Sequence, residues 1–316
     1  MLETIITHTD IDGVAAASLY LYLRDPVHYK VYFTEPFLLN KTLNKIMNRY
    51  SEKLVLIDIG INPLIYQDIL GYLKTMRERG TDIEWYDHHV WEDKWINEIK
   101  AIGVKLSIDR STCATGVIAE YVTPLKPILD RVFIDQVVKG VCAGDLWTFD
   151  HWLAPYYLRL VRRRDSDEWR KSVLEVIRSG RYWDEKFEEK VTEHVDLELK
   201  VLSSNLRYVV RDVDGLRIVI AENIEHLENS FTASYLFGRL DADIVIIASD
   251  DGKLSLRSRD FNVRDIALKL GGGGHPHAAG AKIDVPWSTR VFSKLSKKIF
   301  LSYVLDKILG ILTDRR

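Results

Sequence analysis

The sequence predicts an α/β protein in three pieces: an N-terminal domain with a mainly parallel sheet flanked by helices, a connector helix, and a smaller α/β C-terminal domain. Three observations carry this. Apolar, β-branched runs alternate with amphipathic helical stretches through the first half. A charged stretch, Trp183–Asn205, reads as a long exposed connector and the domain boundary. The 316 residues, 47% hydrophobic and 28% charged, supply apolar surface for two cores and argue against disorder. The expected boundaries are 1–185, 186–207 and 208–316.

Leu2–Thr7 is a buried strand, and it runs into His8-Thr9-Asp10-Ile11-Asp12-Gly13 and a helix from Val14 to Leu21. A turn with an Asp N-cap accounts for Asp10 or Asp12, but hardly for both together with His8. Val27–Thr34 is the next strand and Asn40–Tyr50 the next helix. Lys53–Ile57 is a strand ending on Asp58, followed by a helix over Leu64–Arg79. Asp82–Tyr86 alternates and stops on Asp87-His88-His89. In a parallel sheet, ligands bind outside the carboxyl ends of the strands, and His8, Asp10, Asp12, Asp58, Asp87, His88 and His89 all fall there.

Val104–Ile108 leads through Ser111 and Thr112 to a helix from Val117 to Val122. Hydroxyls at that junction suit phosphate or carboxylate binding, or plain helix capping. The helix Ile128–Asp145 ends on Gly144-Asp145, a further ligand candidate or a structural cap. Residues 146–185 are rich in aromatics and arginine (Trp147, Phe149, Trp152, Tyr156, Arg159, Arg162 to Arg164), suited to bases and phosphates or to a packed interface with a solvated face.

The second domain offers a strand Leu216–Ala221, a helix Ser230–Leu240 and a strand Ala242–Ser249. A turn at Asp250-Asp251-Gly252 leads to the strand Lys253–Arg259, whose alternation puts Lys253, Ser255, Arg257 and Arg259 on one face. Asn262 caps a helix to Leu270. Gly271-Gly272-Gly273-Gly274-His275-Pro276-His277 then suits close approach of an anion to free backbone amides. A strand Ala281–Val285 and an amphipathic helix Val291–Leu312 close the chain.

Composition narrows the function classes. A net charge of −2 argues against a protein coated in basic charge, yet a basic cleft or a metal centre still accommodates nucleic acid. Cys113 and Cys142 lack CxxC spacing and read as small buried thiols in a reducing compartment, not as a disulfide framework. The N-terminus lacks the features of a signal peptide, and no stretch approaches ~18 apolar residues. A cytoplasmic protein without membrane contact is expected. No Ser-His-Asp, Cys-His or Walker pattern competes with the Asp/His set. That set suits two divalent cations, Mn²⁺ first, with Mg²⁺ or Co²⁺ as substitutes. Such a pair serves phosphoryl chemistry: one cation polarises the phosphate and a bridging water becomes the hydroxide nucleophile.

Taken in order, His8-Thr9-Asp10-Ile11-Asp12-Gly13, Asp58, Asp87-His88-His89, Asp145 and Gly272-Gly273-Gly274-His275-Pro276-His277-Ala278-Ala279-Gly280 resemble the DHH phosphoesterase superfamily, in the branch with a C-terminal DHH-associated domain. That branch holds RecJ-like exonucleases, nanoRNase-type enzymes and cyclic-di-AMP phosphodiesterases. The compact His-x-Asp-x-Asp-Gly motif is closer to archaeal RecJ-like proteins than to nanoRNases. The resemblance implies one Mn²⁺ on His8, Asp10 and Asp58, and another on Asp12, Asp58, His88 and Asp145. It implies that Asp87 orients a histidine, that His89 faces the scissile phosphate, and that Arg257 with Gly273, Gly274 and His275 binds the terminal phosphate or nucleotide. Ser111 joins the expected substrate residues, and the active site is expected in the cleft between the domains.

The expected activity is a 3′→5′ exonuclease or oligonucleotidase releasing mononucleotides from single-stranded or short DNA or RNA. The alternative is a phosphodiesterase for cyclic di-AMP or linear pApA. A non-enzymatic scaffold binding a replication or repair protein is a third reading, which the intact ligand set disfavours. Processive 5′→3′ digestion of long DNA is not expected, because no OB-fold extension is present. A monomer and a homodimer both fit.

Overall fold

The computed structural model describes residues 2–49, 51–125, 127, 130–204, 206–224, 227–293 and 296–313. Tyr50, Ile128, Leu129, Asn205, Lys294 and Leu295, each inside an expected helix, lie outside the described residues. The chain divides into two compact units, Met1–His194 and Val195–Arg316.

The first unit is an α/β layer structure, as the alternating pattern predicts. Its elements begin β1 (Leu2–Thr7), α1 (Ile11–Arg24), β2 (His28–Phe33), α2 (Leu39–Ile46), β3 (Lys53–Ile57), α3 (Tyr66–Glu78), β4 (Asp82–Asp87), α4 (Asp93–Ala101) and β5 (Lys105–Ile108). The five strands form a parallel sheet in the order β2-β1-β3-β4-β5. Because β2 lies on one side of β1 and β3 on the other, the strand order reverses at β1/β3, and the crevice outside their carboxyl ends opens there. One apolar core joins Ile6, Leu56 and Trp85 of the sheet to Leu43 of α2 and Leu73 of α3.

The unit continues with α5 (Ala114–Tyr121), α6 (Arg131–Asp145), α7 (Ala154–Leu160) and α8 (Asp167–Arg178), and α1 packs against α5, α6 and α8; the boundary between the units falls within α9 (Glu185–Ser204). Two expectations are corrected. Cys113 and Cys142 are joined in a disulfide, their Cα atoms 5.1 Å apart, because packing of α5 on α6 closes a separation of 29 residues. Nor is the connector wholly exposed: α9 buries Phe187, Val191 and Glu198, so its charge pattern hides an apolar stripe.

The second unit holds β6 (Tyr208–Val213), β7 (Leu216–Glu222), α10 (Asn229–Leu240), β8 (Ile244–Ala248), β9 (Lys253–Ser258), α11 (Val263–Lys269), β10 (Gly273–Gly274), β11 (Ala278–Lys282), α12 (Trp287–Ser293) and α13 (Lys297–Thr313). Its mixed sheet runs β10-β11-β9-β8-β7-β6, with β7 and β8 parallel and the other pairs antiparallel. The last strand starts three residues earlier than Ala281, because the glycine run already pairs as a hairpin. On one face, Leu256, Ile246 and Ile220 pack with Ile266 of α11 and with Phe300 and Val304 of α13. On the other, Val219, Val245 and Ile247 pack with Ala233 and Leu236 of α10. No helix among the described residues is long and apolar enough to cross a membrane.

Candidate metal centre

Four chain segments deliver polar side chains to the crevice of the first unit. After β1, His8 Nδ1 lies 2.7 Å from Asp10 Oδ2, while Asp10 Oδ1 accepts the Gly13 N–H (3.1 Å) and so caps α1. Gly13 is required by close approach: a Cβ there would stand 2.7 Å from the His8 carbonyl oxygen. After β3, Asp58 adopts φ 56°, and its N–H donates to the Tyr86 carbonyl. Asp58 is 2% exposed and faces both ways, with Oδ2 3.6 Å from His8 Nδ1 and Oδ1 3.4 Å from His88 Nε2. His88 Nε2 also lies 3.6 Å from Asp145 Oδ2, at the end of α6, and 3.8 Å from Asp12 Oδ2.

Asp12 answers the question left at the α5 junction. Its carboxylate accepts the N–H groups of Ala114 (2.7 Å) and Thr115 (2.8 Å) and the Thr115 hydroxyl (2.6 Å). The anion on the α5 N-terminus is therefore this protein's own carboxylate. Ser111 and Thr112 do not cap α5: Cys113 is the N-cap, and the Ser111 hydroxyl donates to Asp109 (2.6 Å).

At the end of β4, Asp87 is fully buried and both its oxygens are engaged. Oδ1 is 2.7 Å from His89 Nδ1, and Oδ2 accepts the Trp91 indole N–H at 2.6 Å. Among the described residues, three groups converge with ligand atoms within 4.8 Å of one another: His8, Asp10 and Asp58; Asp12, His88 and Asp145; and Asp58, His88 and His89. Ligand atoms bound at about 2.1 Å to one cation stand about 3–4 Å apart, so the spacings around Asp58 and His88 fit divalent cations. Charge agrees with geometry. Burial pushes Asp12 up, helped by Asp58 and Asp145. Burial, with Asp58 and Asp10, lifts Asp145 to about 7 against the pull of His88. Burial opposes the charged form of His88, but Asp58, Asp12 and Asp145 outweigh it and raise the imidazole to about 10. Asp12 and Asp145 held up around an imidazole that is itself held up mark that part of the site as short of positive charge.

Sequence reasoning missed two residues. Glu35, after β2, has Oε2 3.4 Å from His8 Nε2 and 3.1 Å from Arg163, and its Oε1 accepts the Thr9 hydroxyl at 2.5 Å. The hydrogen bond toward His8 leads in holding it low, at about 2. Its position at a strand's carboxyl end is the signal that singled out Asp58. Arg170 of α8, 3% exposed, donates to the Thr9 carbonyl (2.7 Å) between His8 and Asp10. Nothing in its sequence surroundings marks it.

The second unit gathers the other expected residues at one end of its sheet. Arg257 stands opposite Ala278 in the β9/β11 register. Its guanidinium donates to the Ser230 hydroxyl and the Leu256 carbonyl, each about 3 Å away, and Nε has no hydrogen-bond partner. Burial pushes its pKa down. His275 N–H donates to the Ala278 carbonyl (2.8 Å), closing the turn between β10 and β11. Gly274 has φ 132°, and a Cβ there would stand 2.6 Å from Ala279 Cα, so the hairpin itself demands glycine. Gly273 has open space around it.

Fold and basin together define an α/β protein with a candidate multi-cation centre at the carboxyl edge of a parallel sheet. Residues 207–300 match the DHHA1 domain. A stretch of 36 residues is 56% identical to the bifunctional oligoribonuclease and PAP phosphatase NrnA of Mycoplasma genitalium, covering 11% of this chain and 11% of that protein. Exonuclease RecJ bound to manganese superposes with a TM-score of 0.55 at 12% identity, over 96% of this chain and 89% of that one. RecJ with Mn²⁺ from Thermus thermophilus gives 0.54 at 13%, over 96% and 52%. The pGpG-specific phosphodiesterase PggH of Vibrio cholerae gives 0.53 at 16%, over 94% and 98%. These likenesses establish the fold.

Proposed function

We propose that the chain is a DHH-type, metal-dependent phosphodiesterase that releases mononucleotides from single-stranded or short DNA or RNA, working from the 3′ end. One observation carries the reading: Asp58 lies between two ligand groups, within 3.6 Å of His8 and 3.4 Å of His88. The DHHA1 match over 207–300 supports it. In this proposal His8, Asp10 and Asp58 hold one cation, and Asp12, Asp58, His88 and Asp145 hold the other. Mn²⁺ suits the mixed donors best, with Mg²⁺ or Co²⁺ as substitutes. The cations supply Lewis acidity toward the phosphate and an acidified water.

The chain's own groups do the rest. Asp87 fixes the His89 ring through Nδ1, which leaves Nε2 to meet a phosphate oxygen. Asp12, held by α5, keeps its position when charge builds up nearby. In the second unit, Arg257 and the Gly273-Gly274-His275 turn bind the terminal phosphate or nucleotide, the role we assign to residues 208–316. PggH, which shares the fold, is pGpG-specific, so pGpG joins the short substrates to be tested, with cyclic di-AMP or pApA as the second reading.

End-labelled oligonucleotides, pGpG and cyclic di-AMP compared in Mn²⁺ and in EDTA test this. We expect Mn²⁺-dependent mononucleotide release from unblocked 3′ ends and none in EDTA. Ladders from a 3′-blocked strand refute the polarity. Faster cyclic di-AMP turnover promotes the second reading, and turnover in EDTA overturns the metal centre.

A further inference from the structure

The sheet of the second unit is covered unequally. One face lies under α11 and α13, while on the other α10 covers β7 and β8. The strip of β9 and β11 on that second face borders an open cavity of about 630 Å³. The strip is polar and cationic. Along β9 it presents Lys253, Ser255 and Arg257; along β11, Ala278, Gly280 and Lys282. The register sets Lys282 directly opposite Lys253, Gly280 opposite Ser255, and Ala278 opposite Arg257.

Like charges directly opposed across two strands destabilise a sheet. The carboxylate beside this pair is Asp251, whose Oδ2 is 2.9 Å from Lys253 Nζ; the neighbouring Asp250 pairs with Lys297 instead. One carboxylate facing two ammonium groups leaves the pair net positive. Between the lysines and Arg257 the floor is Ser255 and Gly280, without a bulky side chain to interrupt it.

We propose that Lys253 and Lys282 form a second phosphate-binding subsite, so that the strip between them and Arg257 carries the backbone of a single-stranded oligonucleotide longer than a dinucleotide. The inference rests on the phosphodiesterase reading above and deepens it, because it names the length of substrate. Four residues of strand separate Lys253 from Arg257, about 14 Å at the usual rise. At the ~3.4 Å of axis per phosphate in a fully stacked strand, that distance spans at most about four nucleotides. Charge complementarity selects the occupant: a lysine pair at one end and Arg257 at the other, over a small-residue floor, match a polyanion.

Binding of fluorescein-labelled oligothymidylates of two and five nucleotides, read by anisotropy in EDTA across a salt series, tests the subsite. Wild-type protein is expected to bind the pentamer more tightly than the dimer. The double variant Lys253→Ala, Lys282→Ala is expected to cut that length advantage by about tenfold, as two exposed ionic contacts warrant. Its slope of log affinity against log salt for the pentamer should become shallower by about 1.4. Lys→Arg at both positions should restore both quantities. No length advantage in the wild type, or an unaltered advantage and slope in the alanine variant, overturns the proposal. Hydrolysis of the same oligomers with Mn²⁺ separates the two claims. A wild type that cleaves neither sinks the phosphodiesterase reading, whereas cleavage with indifferent lysines sinks only the second subsite.

Discussion

Replacing Arg170 with Met should loosen the candidate metal centre from behind. The guanidinium makes five hydrogen bonds: Nε to the Thr9 carbonyl (2.7 Å), Nη1 to the Asp165 carbonyl (2.6 Å) and Asp167 Oδ1 (3.1 Å), and Nη2 to the Arg162 and Arg163 carbonyls (3.1 and 3.0 Å). Met fills similar volume but leaves four carbonyls without this donor. A buried acceptor left unpaired costs about 1–3 kcal/mol, and loop carbonyls that water can reach fall at the low end. The expected loss is roughly 3–4 kcal/mol. For a unit of this size it lowers the melting temperature by roughly 6–16 °C. Because Thr9 stands between His8 and Asp10, Mn²⁺ affinity should fall as well. Urea melts of the metal-free protein give the first quantity and Mn²⁺ titration the second. Arg170→Lys, with at most three donors, should fall between Met and wild type. A Met variant within about 1 kcal/mol of wild type and with unchanged Mn²⁺ affinity would refute the tether.

Three further variants probe Asp87 and the glycine turn. Asp87→Asn keeps the shape but turns one acceptor into a donor facing His89 or Trp91. The variant should fold within about 1–3 kcal/mol of wild type, while kcat falls about 10²–10⁴-fold through the wrong histidine tautomer; turnover within threefold of wild type would remove Asp87 as the orienting group. Gly273→Ala meets open space, so its melting temperature should hold while KM for short oligonucleotides rises, whereas Gly274→Ala, at φ 132°, should cost about 1–3 kcal/mol. An unchanged KM in Gly273→Ala would take the loop out of substrate binding.

The strand-end rule is why so much was legible. His8, Asp58 and Asp87-His88-His89 each follow a short apolar run, and a parallel sheet sends such ends to one edge. Asp145 was harder, since a carboxylate at a helix end is usually a cap. It joins the basin because α6 packs against α1 and α5, which no local pattern encodes. Cys113–Cys142 was misread for the same reason: a 29-residue separation is closed by tertiary packing alone. Helices α7 and α8 are hard to read in the sequence because aromatics and charges mask the period of their buried faces. The glycine run was legible as a special loop, but not which glycine the backbone needs. Gly274 answers to its own hairpin, and Gly273 does not.

The residues facing Asp58 and His88 are drawn from widely separated parts of the first unit, from His8 near its start to Asp145 beyond its sheet. No fragment that stops before α6 carries them all. Closing loops of that length costs conformational entropy in the folding chain. A cation that binds only the closed arrangement returns part of it, about 2.7 kcal/mol at a hundred times its dissociation constant. Chelation should thus act on the first unit as a mild, selective denaturant, and the melting temperature of that unit becomes a gauge of metal supply.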